Sequence, residues 1–213
     1  MTDKKFTATA ANGDDMSAEL TYFANFIGLE AIAPGRYSML LLLGLFGGFK
    51  SGALNPAKVI HEIQALEGIG TPSQLKPPSQ FNRPKSPLKG LWHKHYLEDG
   101  LRALALNVKK GLDLYGIPLF QQCMREAQEA GEERYVTIED IKPLANDVVS
   151  GNWKRLANAE ALSGEWIIYA QHEGKNHYLC LARHDSGDDY IRQQIDAICC
   201  HEFPFLTTLL NGT

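Results

Sequence analysis

The clearest pattern of hydrophobic and polar residues lies in the last third of the chain. Two β-rich runs, Glu165–Ala170 and His177–Arg183, flank a polar turn that contains Gly174. Such runs around a turn glycine predict an antiparallel β-hairpin. Because two strands alone are marginally stable, we expect a sheet of three or four strands. The additional candidate strands are Leu91–Tyr96 and Arg134–Ile138.

Helical periodicity dominates the rest of the sequence. Tyr37–Phe49 is nearly all apolar, but its 13 residues would span about 20 Å as a helix, short of a hydrocarbon layer of roughly 30 Å. We therefore expect a buried core helix there and no transmembrane segment. Leu97–Tyr115 carries another apolar stripe with spacings of three and four. The predicted fold class is α+β, predominantly helical, with a small antiparallel β-sheet of three or four strands in the C-terminal two-thirds.

A proline-rich segment suggests where the chain divides. Five of the ten prolines lie within residues 71–90, and proline disfavours helix in its own position and in the preceding one. The segment is also basic. We predict a helical N-terminal region over residues 1–70, an extended basic connector over 71–90, and an α+β domain over 91–213 that contains the 165–183 hairpin.

The charge is distributed unevenly along the chain. The 213 residues carry a net charge of −4, but the net charge is −2 over residues 1–70, +6 over 71–125 and −8 over 126–213. A basic middle segment favours contact with anions such as RNA or another phosphate-bearing substrate, and an acidic last segment favours a basic protein partner. The alternative is a solvated charged surface without a ligand.

The run Trp92-His93-Lys94-His95-Tyr96 is the first candidate site. In a strand, His93 and His95 share one face while Lys94 points away; in a helix, the two imidazoles lie about 200° apart. Paired imidazoles suit proton transfer at a phosphodiester or metal binding, and the basic surroundings favour the phosphodiester. Trp92 and Tyr96 are candidates to stack on bases, and Lys94 is a candidate to neutralise phosphate. The alternative is a polar strand edge with exposed histidines.

The exit of the hairpin is the second candidate site. Arg183, His184 and Asp185 place a cation, an imidazole and a carboxylate side by side. We expect His184 to act as a further acid or base, Asp185 to orient it, and Arg183 to bind phosphate. The alternative is a group of polar residues that caps a turn.

Strand alternation separates the histidines of the hairpin from one another. It assigns His177 to the packing side, opposite to Cys180 and His184, and leaves His172 in the turn. A single active centre therefore requires His184 to approach the histidines of the first candidate site to within about 6–8 Å.

Other kinds of chemistry have less support. The histidines and cysteines do not follow a standard zinc-ligand spacing, and the sequence contains no Walker, Rossmann or Gly-x-Ser-x-Gly motif. We therefore expect no cofactor and no bound metal. The four cysteines and the absence of a secretory pattern at the N-terminus favour a cytoplasmic protein.

The leading hypothesis is a metal-independent, nuclease-like hydrolase or transferase that acts on RNA phosphodiesters by histidine acid–base chemistry. Small antiparallel sheets with histidines and basic groups occur among bacterial ribonuclease toxins, which is an analogy of architecture alone. Two alternatives remain: a non-catalytic partner-binding protein of the immunity or adaptor kind, and a metal-dependent hydrolase with histidine ligands. The sequence leaves the substrate and the oligomeric state open.

Overall fold

A computed structural model of the chain describes residues 7–98, 100–183 and 185–212. The chain forms two compact units. The first comprises Met1–Ser73, Pro77–Asp99 and Gly164–Thr213, and the second comprises Gln74–Lys76 and Gly100–Ser163. These boundaries differ from those drawn at residues 70 and 90, because strand pairing joins distant segments into one sheet and local composition carries no record of that pairing.

The first unit is a sheet with helices from both ends of the chain. Its N-terminal helices and strands are α1 (Ser17–Phe26), α2 (Leu29–Ile32), α3 (Met39–Lys50), α4 (Pro56–Leu66), β1 (Ser79–Gln80) and β2 (Trp92–Tyr96). After the second unit the chain continues with β3 (Glu165–His172), β4 (Lys175–Ala182), α9 (Asp188–Gln194), a π-helical turn (Ile195–Cys199), α10 (Cys200–Glu202) and α11 (Phe205–Asn211).

The second unit is helical. It contains α5 (Leu101–Tyr115), α6 (Pro118–Ala130), α7 (Ile138–Asn146), a π-helical turn (Asp147–Gly151) and α8 (Asn152–Asn158). Buried Asn107 on α5 donates to the carbonyl of Ser163 at 2.8 Å and accepts from the amide of Ser163 at 2.9 Å. The middle of α5 thus holds the segment that leads out of the unit.

The four strands are arranged in the order β1-β2-β3-β4, and each neighbouring pair is antiparallel. The predicted α+β class is therefore confirmed, as are the hairpin and the strand within Leu91–Tyr96. The prediction of a strand at Arg134–Ile138 is wrong. Thr137 instead caps α7 through Asp140, and Ile138 begins that helix. A short β-rich run has no strand character without a partner beside it.

The fourth strand lies in the proline-rich segment. Ser79 and Gln80 pair with His93 and Trp92 at the edge of the sheet. Pro77 and Pro78 immediately precede this strand, and an edge strand tolerates neighbouring prolines because one of its sides needs no amide donors. The basic connector is therefore partly an edge of the sheet.

Two hydrophobic cores cover the two faces of the sheet. Ile167, Tyr169 and Tyr178 join the N-terminal helices in the first core. Ile168, Ala170 and other residues of β3 and β4 join α9 and the segments that follow it in the second core. The sheet thus lies between two helical layers, and each side chain on β2 faces one layer or the other according to its position in the alternation.

Helix α3 is the predicted core helix. Leu41, Leu42 and Leu45 are fully buried, and the hydroxyl of Ser38 caps the helix by accepting from the amide of Leu41 at 3.0 Å. Among the residues that the structure describes, no helix combines the length and apolar character needed to cross a bilayer.

Candidate active site

His93 and His95 lie on the same face of β2. The strand conformation of Trp92–Tyr96 is confirmed, and alternation directs both imidazoles to the face that also carries Trp166 and Ile168 of β3. The two imidazole ring centres are 5.6 Å apart, with the ring planes nearly perpendicular. The two imidazoles therefore lie close together on one strand.

The tautomer of neutral His95 is set by the backbone of Gly164. The Nδ1 atom lies 2.6 Å from the carbonyl oxygen of Gly164 and 3.3 Å from its amide nitrogen. One ring nitrogen cannot donate and accept at once, and the shorter contact identifies Nδ1 as the donor to the carbonyl. The lone pair of neutral His95 then lies on Nε2, which is the arrangement that a general base requires.

Aromatic residues surround His93. Its ring centre lies 4.7 Å from that of Phe81 and 5.0 Å from that of Trp166, and its Nε2 lies 3.1 Å from the hydroxyl oxygen of Ser79. Sequence patterns did not identify these three neighbours as part of a site. Trp166 lies two positions before Ile168 in β3, so strand alternation places both side chains on one face. Which residue of β2 lies opposite Trp166 depends on the register between the strands, and the sequence does not specify that register.

Burial distinguishes the two histidines. His95 is only 4% exposed, whereas His93 is partly exposed. A ligand that approaches this face therefore contacts His93 more readily than His95.

The other three residues of the first candidate site lie on the opposite face of β2. Trp92 stacks on Tyr169 with ring centres 6.4 Å apart, and Tyr96 is buried in the first core. Lys94 is 3% exposed, and its Nζ lies 3.3 Å from the carboxylate of Glu62. Alternation thus separates these three residues from the two histidines, and the strand has no bend that would bring Lys94 round.

The residues at the exit of β4 are only partly placed. His184 lies outside the described residues. Asp185 is exposed, and the Nη2 atom of exposed Arg183 lies 3.4 Å from Glu98. Arg183, Glu98 and Tyr96 line a cleft of about 220 Å³ next to α3, on the face opposite to His93. The structure does not bring Arg183 together with the histidine pair.

A β-bulge changes the predicted alternation of β4. Cys180 pairs with Ile168 and Tyr178 pairs with Tyr169, so Leu179 is an extra residue in β4. His177, opposite Ala170, consequently lies on the same face as Cys180. The prediction that these two side chains point in opposite directions is wrong, because a bulge shifts the alternation by one residue and has no signature in the hydrophobic pattern.

A second histidine pair lies at the turn of the hairpin. His172 is the last residue of β3 and pairs with Lys175, so it does not belong to the turn, which consists of Glu173 and Gly174 with φ angles of 50° and 72°. These angles are typical of a type I′ turn. The imidazoles of His172 and His177 are 6.2 Å apart, and His172 stacks on Phe205 at 4.0 Å.

The two hairpin histidines line a cleft of about 500 Å³, together with Pro34, Arg36, Glu67, Glu173 and Lys175. Arg36 and Glu67 form a bidentate ion pair with distances of 3.0 and 2.7 Å, and the hydroxyl of Tyr178 donates to Glu67 at 2.6 Å. Burial opposes ionisation of Glu67, but the bonds from Arg36, Tyr178 and Asn176 outweigh it and lower the pKa of the carboxyl group. The cleft is thus held by an internal network, and Arg36 already has a carboxylate partner.

Replacement of His177 by phenylalanine is expected to make stability less dependent on pH. Burial lowers the pKa of His177, aided by the nearby charges of Arg36 and Lys175 and by His172, although a backbone interaction at Lys175 opposes the shift. The imidazole of His177 therefore binds a proton more readily in the unfolded chain than in the folded protein. The contribution of neutral His177 to the free energy of unfolding is fully present above the ordinary pKa of about 6.5, and it falls as the pH decreases below that value.

Urea unfolding at pH 7.5 and pH 5.5 tests this expectation. The wild type should lose more unfolding free energy than His177→Phe between the two pH values. Equal losses in both proteins would contradict a depressed pKa of His177.

No group of three or more histidine, cysteine, aspartate or glutamate side chains within the described residues is arranged to hold a metal ion. Comparison of the chain with known protein families, curated proteins and solved structures gave no match.

Proposed function

We propose that the protein cleaves RNA phosphodiesters by acid–base chemistry at His93 and His95. The observation that supports this most directly is the pair of imidazoles on one face of β2, with ring centres 5.6 Å apart. One of them has its tautomer fixed by a backbone carbonyl, and the other is the more accessible.

His95 is the base and His93 is the acid in this proposal. Nε2 of His95 takes the proton of a ribose 2′-hydroxyl, and the 2′-oxygen forms a bond to phosphorus while the bond from phosphorus to the 5′-oxygen breaks. Protonated His93 gives its proton to the departing 5′-oxygen. The products are a 2′,3′-cyclic phosphate and a 5′-hydroxyl end, and water can later restore both histidines to their starting states.

Aromatic and basic groups near His93 suit a single-stranded RNA. Phe81 and Trp166 are partly exposed aromatic rings beside His93, and in the proposal bases stack on them, an interaction that is largely independent of sequence. Arg83 and Lys85 are exposed in the same connector as Phe81 and supply positive charge for the backbone. These residues take the role that the sequence pattern assigned to Trp92, Lys94 and Tyr96.

The exit of β4 contributes a further imidazole in the proposal. His184 is a second acid–base candidate and Asp185 orients it, whereas Arg183 lines the cleft on the opposite face of the sheet, so the proposal gives it no contact with phosphate at His93 and His95. We place the enzyme in the cytoplasm, where the four cysteines, all unpaired, remain reduced.

The test is cleavage of an oligoribonucleotide that carries a fluorophore and a quencher, in buffer with EDTA. We expect His93→Gln and His95→Gln each to lower the rate by about 10²-fold or more, as loss of a general acid or base usually does. An oligonucleotide with 2′-deoxyribose at the cleaved position should resist, and mass spectrometry should detect the cyclic phosphate. His184→Gln measures the contribution of the hairpin exit.

The hairpin histidines provide the matched controls. His172→Gln and His177→Gln remove imidazoles from the same face of the sheet, and cleavage should remain within about threefold of the wild type, well short of the loss of an acid or base. The proposal fails if the wild type cleaves no RNA or if the changes at positions 93 and 95 leave the rate unaltered. A rate that depends on the hairpin histidines alone would also refute it and would place the active centre in the 500 Å³ cleft.

A further inference from the structure

Helices α6 and α7 expose their apolar side chains. Neither helix has a buried residue, and the loop between them is exposed along its whole length. Tyr135 is 95% exposed, Val136 72% and Ile138 71%. We call residues 118–146 the α6–α7 segment. Its large exposed apolar residues are Phe120, Met124, Tyr135, Val136, Ile138 and Ile141.

The apolar residues of α6 form a stripe. Phe120, Met124 and Ala127 follow each other at spacings of four and three, which places them on one side of the helix. Such a stripe normally faces a hydrophobic core. A helix of 13 residues gains little stability from propensity alone, so an apolar stripe left exposed on it indicates a site of interaction.

The loop between α6 and α7 is held in position by polar contacts. Arg134 donates to both carboxylate oxygens of Asp140 at 2.6 and 2.7 Å, and the amide and hydroxyl of Thr137 both donate to Asp140 at 2.8 Å. These bonds fix the backbone on both sides of Tyr135. An exposed tyrosine on an ordered loop loses little conformational freedom on binding, and tyrosine is among the residues that contribute most to interfaces.

The charges of the segment indicate the chemistry of its partner. It contains six acidic residues and three basic ones, and Arg134 is paired with Asp140. Complementarity therefore favours a positively charged partner. A symmetric dimer formed through this segment would place two acidic surfaces against each other, which disfavours a second copy as the occupant.

We propose that the α6–α7 segment binds a cationic amphipathic segment of another protein. The partner places apolar side chains against Tyr135, Ile138 and the stripe of α6, and its lysine or arginine side chains face the surrounding carboxylates. This binding surface belongs to the second unit, and the inference does not depend on the proposed cleavage of RNA.

The test uses the full chain and two labelled helical peptides of about 18 residues, or five turns. One consists of leucine and lysine, and the other has glutamate in place of lysine. Fluorescence anisotropy should show binding of the lysine peptide that weakens as salt is added. Tyr135→Ser should weaken it by about tenfold or more, and Glu133→Gln, in the exposed loop two residues before Tyr135, should reduce its salt dependence. Tyr22→Ser changes a tyrosine that is 71% exposed on α1 and should leave binding unchanged.

Circular dichroism should confirm that each variant is folded. The proposal is overturned if the lysine peptide does not bind, if the glutamate peptide binds equally well, or if Tyr135→Ser and Tyr22→Ser have the same effect. Sedimentation velocity provides the remaining outcome: if the wild type is a dimer and Tyr135→Ser is a monomer, a second copy covers the segment and the proposed partner is wrong.

Discussion

Replacing Lys94 with methionine is expected to lower the free energy of unfolding by about 3–5 kcal/mol, as loss of one member of a buried ion pair does. Lys94 and Glu62 are 3% and 5% exposed, and their charged groups are 3.3 Å apart. The ammonium group also donates to the hydroxyl of Ser73 at 2.8 Å. Methionine fills a similar volume but leaves the Glu62 carboxylate without its cation. Urea unfolding followed by circular dichroism measures the loss.

Two further variants identify the cause of that loss. Lys50→Met removes a lysine from an exposed pair with Glu19 in the same unit, and it should cost no more than about 1 kcal/mol. Lys94→Met/Glu62→Leu removes both buried charges and should recover most of the stability lost in the single variant. If Lys94→Met is as mild as Lys50→Met, or if the double variant is no more stable than the single one, desolvation of Glu62 is not the cause.

The local sequence pattern was sufficient for the elements with strong periodicity. The hairpin and the core helix α3 follow from β-rich composition, a turn glycine and apolar length, whereas the sequence left Trp92–Tyr96 open between a strand and the start of a helix. Alternation also predicted that Lys94 points away from the two histidines. Each of these features is formed by residues that are close together in the sequence, so the residues of one continuous segment are enough to predict it.

Features that depend on distant partners were not predictable in the same way. The pairing of Ser79 with His93 brings Phe81 against the candidate site, yet the prolines of this segment indicated only an extended connector. The bulge at Leu179 reverses the facing of His177 relative to Cys180. Both depend on strand register and on packing against helices, which the hydrophobic pattern of one strand does not specify.

The same face of the sheet carries both histidine pairs. His93 and His95 lie on β2 opposite Ile168 and Trp166, whereas His172 and His177 lie near the turn that joins β3 and β4. Because the two pairs occupy different parts of the sheet, we expect a substitution at one pair to leave the other in place, which makes the hairpin histidines suitable controls for the proposed active site.

Among glycine-to-alanine substitutions, Gly164→Ala is expected to lower the stability of the protein most. The added methyl group would meet backbone atoms, which cannot move aside as a flexible side chain can. A Cβ at this position would overlap the carbonyl oxygen of Tyr96 and lie 2.6 Å from its carbonyl carbon. Tyr96 ends β2 and pairs with Glu165, which begins β3. These two residues must move apart to accommodate the methyl group. We expect a loss of about 3 kcal/mol or more in the free energy of unfolding, at the upper end for overpacking, measured by urea unfolding.

Gly164 also connects stability with the candidate chemistry. Its carbonyl oxygen accepts from Nδ1 of His95 at 2.6 Å, so displacement of this backbone removes the bond that fixes the His95 tautomer. Any RNA cleavage should therefore fall in the fraction of Gly164→Ala that remains folded. Gly47→Ala is the matched control, since a Cβ there meets nothing within 4 Å, and alanine in a helix should be neutral or stabilising by about 0.5–1 kcal/mol. If Gly164→Ala unfolds at the same urea concentration as Gly47→Ala and the wild type, a methyl group at position 164 does not disrupt the pairing of β2 with β3.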